Sequence, residues 1–208
     1  MLPERGLLTC KTALFCHRDR DDVRILRDWQ LKAPEQIQTA RLLLRRPVPA
    51  DAESIFHRYA SDPIATRYLS WPTHRSVADT QVFLTWDETE WQKWPAGCYL
   101  IFRRGDDHLL GSTGLSFKTP THAATGYVLA QDSWGHGYAT EALKAMVELA
   151  RGTGVGRLEA VCHVDHSASA HVMEKCGFQR QATLLEHTVF PNLTPAVRSD
   201  VLAYAVIL

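Results

Sequence analysis

The chain has 208 residues, with 23 basic and 23 acidic side chains and 45% hydrophobic residues, as is typical of one soluble globular domain with an extension. Because the net charge is zero and Lys and Arg do not cluster, nothing in the composition favours nucleic acid or an anionic membrane as a partner. No apolar stretch approaches the ~20 residues that span a bilayer, and charges interrupt the N-terminal stretch too early for a secretory signal, so we expect a cytoplasmic protein.

The cysteines indicate neither disulfides nor zinc. They are odd in number, and none has the Cys-x-x-Cys spacing of a zinc site. We therefore expect no metal site and no disulfide framework. The cysteines are Cys10, Cys16, Cys98, Cys162 and Cys176.

The N-terminal residues 1–36 differ from the rest of the chain because they are dense in charge and Pro34 interrupts any helix. Two interpretations remain open for this segment: a frayed tail, or a short helix at residues 22–30 that packs on the domain or on a partner. We divide the chain into an extension, residues 1–36, and a domain, residues 37–208, whose first strand is predicted near Arg41.

The first part of the domain reads as one strand followed by two helices. The strand covers residues 41–46 and ends at Pro47. Asp51 is a candidate N-cap for a helix that extends to residue 60, with apolar residues at helical spacing. Ser76 is followed three positions later by Asp79, and this spacing predicts a capping box at the start of a long helix that extends to residue 93.

The remaining elements are three strands, a helix, a strand, a helix and two long strands. Short polar turns join the first three strands, which predicts antiparallel pairing. The complete order is β-α-α-β-β-β-α-β-α-β-β, an α/β fold with a mixed, mostly antiparallel sheet of about seven strands flanked by about four helices. The predicted ranges are 98–104, 108–117, 124–130, 138–151, 157–164, 167–176, 178–190 and 198–208.

One strand leads directly into a glycine loop and then a helix. Gly135 and Gly137 lie two residues apart, and the first helical turn contains the small residues Ala139 and Thr140. About four backbone N–H groups lack partners at a helix N-terminus, so a diphosphate can bind there without a basic side chain. The spacing alone is equally compatible with a tight strand-to-helix turn.

The segment WGHGYATEAL resembles the coenzyme A pyrophosphate loop of the GNAT (GCN5-related N-acetyltransferase) superfamily, whose pattern is Gln/Arg-x-x-Gly-x-Gly/Ala. Trp134 stands at the position where Gln or Arg is common. Gly135 and Gly137 supply the glycines of the loop, and Ala139 is the final small residue.

Within the superfamily, the chain looks most like the RimJ/RimL-type ribosomal-protein alanine N-acetyltransferases. The T-x-R-L-x-L-R pattern of that branch is matched by residues 39–45, and its D-V-L-x-Y strand by residues 200–204. The pattern N-x-A-S-x-x-V-x-E-K-x-G-F is matched by residues 166–178, except that His166 stands in place of Asn. The similarity covers about residues 37–208.

This resemblance implies the GNAT acyl-CoA N-acyltransferase fold, acetyl-CoA as the acetyl donor, and direct attack by an amine in a ternary complex. It also implies that a backbone N–H holds the thioester carbonyl where the fourth predicted strand splays from the fifth. The expected coenzyme-binding residues are Val128, Leu129, Ala130, Trp134, Gly135, His136, Gly137, Tyr138, Ala139, Thr140, His166 and Ser169.

The candidate catalytic residues are Ser169 and Glu186. Ser169 matches the family serine that supports the departing thiolate, or alternatively bonds only to local backbone at a helix start. Glu186, next to His187, lies on a strand where related enzymes carry a substrate-facing carboxylate, with the register open by a residue or two. Glu141 is assigned a structural role because a carboxylate is stabilised in a first helical turn.

Aromatic residues offer two further interpretations. They either line an acceptor groove or belong to the core, which is the commoner fate of aromatic residues at helical spacing. These residues are Trp71, His74, Trp86, Trp91 and Trp94.

The resulting hypothesis is an N-acetyltransferase that moves an acetyl group to a primary amine, either a protein N-terminus or a small molecule. The alternative is a non-catalytic acyl-CoA-binding sensor or structural protein. A dinucleotide site is disfavoured, because Thr140 occupies the third glycine position of G-x-G-x-x-G. The expected partners are an amine acceptor and, as one option, a second copy of the chain in a homodimer.

Overall fold

The computed structural model describes residues 32–208, which form one eight-stranded sheet and four α-helices. The strands are β1 (Gln36–Gln38), β2 (Leu42–Arg45), β3 (Cys98–Arg103), β4 (Leu109–Thr119), β5 (His122–Leu129), β6 (Arg157–His163), β7 (Gln179–Val189) and β8 (Arg198–Ile207). The helices are α1 (Ala52–Ile55), α2 (Val77–Lys93), α3 (Tyr138–Gly152) and α4 (Ser167–Lys175). The predicted α/β fold class is confirmed.

The sheet has the order β1-β2-β3-β4-β5-β6-β8-β7. Neighbouring strands are antiparallel except β5 and β6, which are parallel and pair only from His122 to Ala124 on β5. Parallel strands need a crossover connection, and α3 lies in that connection. Beyond Ala124, β5 pairs only with β4, while the rest of β6 pairs only with β8. A V-shaped cleft therefore opens between β5 and β6, as the family resemblance predicted.

Both faces of the sheet carry a hydrophobic core. On one face, α3 and α4 pack with the strands, and Leu143, Met146 and Leu158 are fully buried. On the other face, α1 and α2 cover Leu100 and its neighbours on β3. The predicted apolar stripe of α3 thus lies against the sheet, because residues spaced three and four apart share one helix face.

The N-terminus of α2 is stabilised by the predicted acidic residue. The Asp79 carboxylate accepts hydrogen bonds from the backbone N–H groups of Ser76 at 3.0 Å and Arg75 at 2.8 Å. Further along α2, Trp91 and the following Trp94 are buried in the core. The core interpretation is therefore correct for these two tryptophans.

Asp51 does not cap the first helix in the predicted way. A 3₁₀ turn at Pro49–Asp51 precedes α1, which continues as a π-helical turn at Phe56–Ala60. The Asp51 carboxylate instead accepts two hydrogen bonds from the Arg45 guanidinium, at 2.8 and 2.6 Å, and one from the Val48 N–H at 2.7 Å. The charged guanidinium is the stronger partner for a carboxylate at this site.

The first strand begins earlier than Arg41. Strand β1 pairs with β2, and the proposed boundary after residue 36 falls inside it. Ala33 is buried, its N–H donates to the Pro95 carbonyl at 2.9 Å, and the Tyr99 hydroxyl donates to the Pro34 carbonyl at 2.8 Å. The proposed helix at residues 22–30 lies outside the described residues. Within residues 32–208, no helix is long and apolar enough to cross a membrane.

Candidate active site

The loop between β5 and α3 has the backbone conformation that its glycines allow. Gly135 and Gly137 have φ angles of 76° and 77°, a region that residues with a Cβ atom adopt only at a cost. Among residues 32–208, a Cβ atom at Gly135 would meet nothing within 4 Å, and one at Gly137 would meet only Arg41 Nη2 at 3.5 Å. Backbone conformation therefore requires these glycines, and open space remains above the loop for a ligand.

This loop presents a row of free backbone donors. Within residues 32–208, the N–H groups of residues 135–140 donate to no protein acceptor. The loop is exposed and lies at the N-terminus of α3, a helix of 15 residues. Its unpaired N–H groups and the positive end of the helix dipole favour an anion, and a diphosphate has enough oxygen atoms to accept several of these hydrogen bonds.

Glu141 and Arg41 support the loop from below. The Glu141 carboxylate accepts hydrogen bonds from the Thr39 hydroxyl at 2.6 Å, the Arg41 N–H at 2.8 Å and Arg41 Nε at 2.7 Å. Arg41 Nη1 donates to the His136 carbonyl at 2.9 Å. Burial raises the pKa of Glu141, but the bonds from Thr39 and Arg41 outweigh it and hold the pKa below its usual value. The contacts of Glu141 are structural, as the sequence indicated.

The loop side chains pack beside this support. The Arg41 guanidinium lies 4.9 Å from the centroid of the Tyr138 ring, and His136 stacks on Tyr138 at 5.5 Å. Trp134 is 46% exposed, and its Nε1 donates to the Leu129 carbonyl at 2.9 Å. The residue at the family's Gln/Arg position therefore ties the loop to the end of β5.

The coenzyme-binding positions predicted on β5 expose backbone rather than side chains. Val128, Leu129 and Ala130 are buried in the core. The stretch of β5 that contains Val128 and Leu129 has no strand partner on the cleft side. Apart from the Leu129 carbonyl, which Trp134 Nε1 occupies, backbone without a strand partner at this edge is the group that the resemblance predicts beside a thioester.

A hydrogen bond crosses the cleft between β5 and α4. The Tyr127 hydroxyl donates to Ser169 Oγ at 3.1 Å. Burial raises the pKa of Tyr127, so its phenol stays protonated and remains a donor. Because Ser169 Oγ accepts this bond, its own proton is available for another acceptor. In the described part of the chain, the Ser169 hydroxyl makes no bond to local backbone, unlike the alternative interpretation.

His166 lies at the junction of β6 and α4, as the N-cap residue of that helix. Its ring stacks on Tyr68 at a centroid distance of 4.9 Å, and His163 stacks on the same tyrosine at 4.9 Å. Burial, together with His163, lowers the pKa of His166 below its ordinary value. Among residues 32–208, no protein atom hydrogen-bonds to its ring nitrogens.

Residues 61–76, which we call the bridging loop, span the open end of the cleft. Near its start, the Asp62 carboxylate accepts a hydrogen bond from Gln131 just after β5, at 2.5 Å. Further along, Tyr68 contacts both histidines at the end of β6. The loop therefore contacts both arms of the V.

Asn192 binds the bridging loop to the connection between β7 and β8. Its amide nitrogen donates to the carbonyls of Thr66 at 2.7 Å and Trp71 at 2.9 Å. Its amide oxygen accepts from the Thr73 N–H at 2.8 Å. Sequence reasoning missed both Asn192 and Tyr68, because an asparagine in a Pro-rich turn and a tyrosine in a connector carry no local signal.

Glu186 lies in a β-bulge of the edge strand β7, where the register shifts between Leu184 and Thr188. Its φ is 45°, its side chain is exposed, and its N–H donates to the Asp200 carboxylate at 2.8 Å. In the described residues, no hydrogen bond or ion pair joins the Glu186 carboxylate to Ser169 or to the glycine loop. The structure brings Ser169 to the cleft and does not join Glu186 to it.

The described residues contain no group of three or more His, Cys, Asp or Glu side chains arranged to hold a metal ion.

A splayed sheet beside a strand, glycine loop and helix defines the class of acetyltransferases with a GNAT domain. The acetyltransferase (GNAT) domain profile matches residues 41–179, more than half of the chain. The chain belongs to the GNAT acetyltransferase family, and the protein is an acetyltransferase enzyme.

Relatives in sequence and structure agree with this family. The uncharacterized N-acetyltransferase YoaA of Bacillus subtilis (strain 168) is 28% identical over 162 residues, which cover 76% of this chain and 90% of YoaA. The uncharacterized N-acetyltransferase p20 of Bacillus licheniformis is 24% identical over 156 residues, which cover 74% of this chain and 87% of p20.

Two solved structures illustrate the shared fold. The microcin C7 self-immunity acetyltransferase MccE, in complex with acetyl-CoA and AMP, has a TM-score of 0.74 and 20% identity over 84% of this chain and 97% of MccE. RimL, the ribosomal L7/L12 α-N-protein acetyltransferase in complex with coenzyme A, has a TM-score of 0.74 and 23% identity over 84% of this chain and 98% of RimL.

Proposed function

We propose that this enzyme moves the acetyl group of acetyl-CoA to a primary amine by direct attack in a ternary complex, as a RimJ/RimL-like member of its family. The observation that carries the proposal is one juxtaposition. The free N–H groups of residues 135–140 adjoin the end of β5, and Tyr127 of that strand reaches Ser169 across the cleft. In this proposal, the loop N–H groups donate to the diphosphate and the Ser169 hydroxyl donates to the thiolate, at two points along one cleft.

The coenzyme fits this cleft by its chemistry. Its diphosphate is an acceptor for the loop N–H groups, which need no basic side chain to bind it. Its pantetheine arm carries amides that pair with unpaired strand backbone, which β5 offers beyond Ala124. Ser169 would then donate its free proton to the sulfur as negative charge develops there, which stabilises the transition state more than the ground state.

The acceptor is a primary amine, drawn from protein N-termini or small molecules. An α-amine has an ordinary pKa near 8 and a lysine amine one near 10.4, so an α-amine loses its proton more easily at neutral pH. Tyr68 of the bridging loop lies against the histidines at the open end of the cleft, whereas Trp71 is buried in the core, with His74 beside it. We retain a homodimer as one option, which light scattering tests.

Release of free thiol from acetyl-CoA tests the proposal. The purified protein is incubated with acetyl-CoA and a panel of amines: peptides with N-terminal Ala or Ser, spermidine, an amino sugar and an aminoacyl nucleotide analogue. We expect at least one amine to raise thiol release well above the rate without amine, with one acetylated product per thiol. Tight binding of acetyl-CoA without release by any amine would favour the non-catalytic acyl-CoA sensor instead.

A further inference from the structure

His166 begins the helix that contains the hydroxyl assigned to the thiolate, at a position where the family pattern has asparagine. We propose that His166 accepts the proton of the attacking amine, which makes it a catalytic residue; this inference rests on the proposed function. Glu186, a candidate catalytic residue from the sequence, is exposed, and in the part of the chain that the structure describes its carboxylate has no hydrogen bond or ion pair with the cleft residues.

The position of His166 relative to Ser169 supports this role. His166 is the N-cap residue of α4 and Ser169 is its third residue, and the Ser169 N–H donates to the His166 carbonyl at 3.0 Å. In a capping box, the N-cap and third residues of a helix contact each other through a side chain of one and the backbone of the other. His166 and Ser169 therefore lie in the same first turn of α4, where one side chain can serve the amine and the other the sulfur of the same thioester.

The packing around His166 fixes its ring and leaves its nitrogens free. Tyr68 stacks on the ring with an interplanar angle of 28°, and Tyr68 itself belongs to the bridging loop. No protein atom of the described residues forms a hydrogen bond with the ring nitrogens of His166. A base must be within hydrogen-bond reach of the incoming proton, and an unoccupied nitrogen beside the cleft meets that need.

The charged groups near His166 favour its neutral form. His163 lies on the same tyrosine and, with burial, lowers the pKa of His166. The Arg67 guanidinium lies over the ring of the same tyrosine, 5.2 Å from its centroid. The Asp165 carboxylate is 3.7 Å from His163 Nδ1, and its side chain is largely exposed, so solvent screens its opposing effect. The imidazole is therefore a proton acceptor at neutral pH.

The proton balance of the reaction is complete with this assignment. The amine nitrogen attacks the thioester carbonyl, a C–N bond forms and the C–S bond breaks. The amine proton moves to His166, while Ser169 donates a hydrogen bond to the departing thiolate. The imidazolium then releases its proton to water, and the thiolate takes up one proton from water, so the enzyme returns to its first state.

The decisive variant is His166→Asn, with His171→Asn as its matched control. Both changes replace histidine by asparagine. His166 directly precedes α4, and His171 lies on α4 with an exposed side chain. With the amine found by thiol release, we expect His166→Asn to lower kcat by about 100-fold or more, the usual contribution of a general base. Its Kd for acetyl-CoA by calorimetry should stay within about two-fold of the original value, and His171→Asn should change neither quantity.

The pH profile separates this role from a structural one. In the unaltered enzyme, kcat should rise with pH through a group whose pKa lies below 6.5, and His166→Asn should lack that step. An unchanged kcat in His166→Asn would overturn the inference. So would an equal loss of acetyl-CoA affinity and rate, because His166 would then be a coenzyme contact.

A measurement on the free enzyme tests the inference without an acceptor. Histidine-labelled protein is titrated by NMR, and His166→Asn identifies the signal. We expect the His166 imidazole to titrate below pH 6.5, and a pKa above 7 would overturn its role as a base. Failure of every amine to release thiol, with this titration as expected, would count against the proposed function and not against the charge state of His166.

Discussion

Tyr127 and Ser169 form the hydrogen bond that crosses the cleft, and its direction decides what Ser169 can do. The tyrosine donates, so the serine proton is free for the coenzyme sulfur. Glu141 is the opposite case: three hydrogen bonds from Thr39 and Arg41 occupy its carboxylate. At the scale of single residues, the chemistry follows from which donors and acceptors are already occupied.

Ser169→Ala tests the serine, with Ser167→Ala as control. Ser167 is the first residue of the same helix and its side chain is exposed. We expect Ser169→Ala to lower kcat by about 10- to 100-fold and to leave acetyl-CoA affinity near its original value, because the bond to the thiolate forms mainly in the transition state. Steady-state kinetics and calorimetry measure both. A full rate with a lowered melting temperature would make Ser169 a structural residue.

Asp87 predicts a pH dependence of stability. Burial raises the pKa of Asp87 to about 7, although its carboxylate accepts a hydrogen bond from the Cys98 N–H at 2.9 Å. The folded protein therefore keeps this proton in a pH range where the unfolded chain, with a pKa of about 3.9, has lost it. The contribution of Asp87 to stability is present below pH ~4 and declines as the pH rises towards 7.

Asp87→Asn removes this titration and keeps an oxygen acceptor for Cys98. We expect the variant to exceed the original protein in free energy of unfolding at pH 8, by on the order of 1 to 4 kcal/mol, and to show a smaller advantage at pH 5. Urea unfolding at the two pH values measures this difference. An advantage that is larger at pH 5 than at pH 8 would contradict the raised pKa.

At the scale of elements, hydrophobic periodicity predicted the long helices and strands correctly, whereas short or irregular segments were missed. The long helices and paired strands were predicted from their apolar patterns, because those patterns reflect burial. Strand β1 was missed because it has only three residues, two of them exposed glutamines, which is too short a segment to show a hydrophobic period. The bulge that displaces Glu186 was missed because β7 reads as one long strand, and a bulge depends on the pairing partner.

Asn192→Ala tests the connection between the bridging loop and the β7–β8 turn, with Thr194→Ala as a control at an exposed position of the same turn. The change removes the acceptor of the Thr73 N–H and the donor to two carbonyls. We expect a loss of about 1 to 3 kcal/mol in stability and faster proteolysis within residues 61–76, while acetyl-CoA affinity is retained. Unchanged stability and proteolysis would show that these bonds do not hold the loop.

At the scale of the whole molecule, one topological feature organises the site. The parallel pairing of β5 and β6 ends at Ala124, so the cleft, the free backbone of β5 and the approach to Ser169 share one origin. The sequence motifs predicted the loop because it depends on local residue types, whereas the splay of β5 from β6 was implied by the family resemblance. Tyr68, Asn192 and the stacking of His166 were beyond such reasoning, since each depends on segments distant in sequence that only the fold brings together.

We propose that the N–H groups of residues 135–140 bind the coenzyme. Calorimetric titration of acetyl-CoA into Gly137→Val, with Gly154→Val as control, tests it most directly. Gly154 also has a positive φ, 81°, and no neighbour within 4 Å of a Cβ atom, but it lies in the turn after α3. Both variants carry the same backbone strain, so we expect affinity to fall more than about 10-fold only in Gly137→Val. Equal affinity in the two variants would contradict the account.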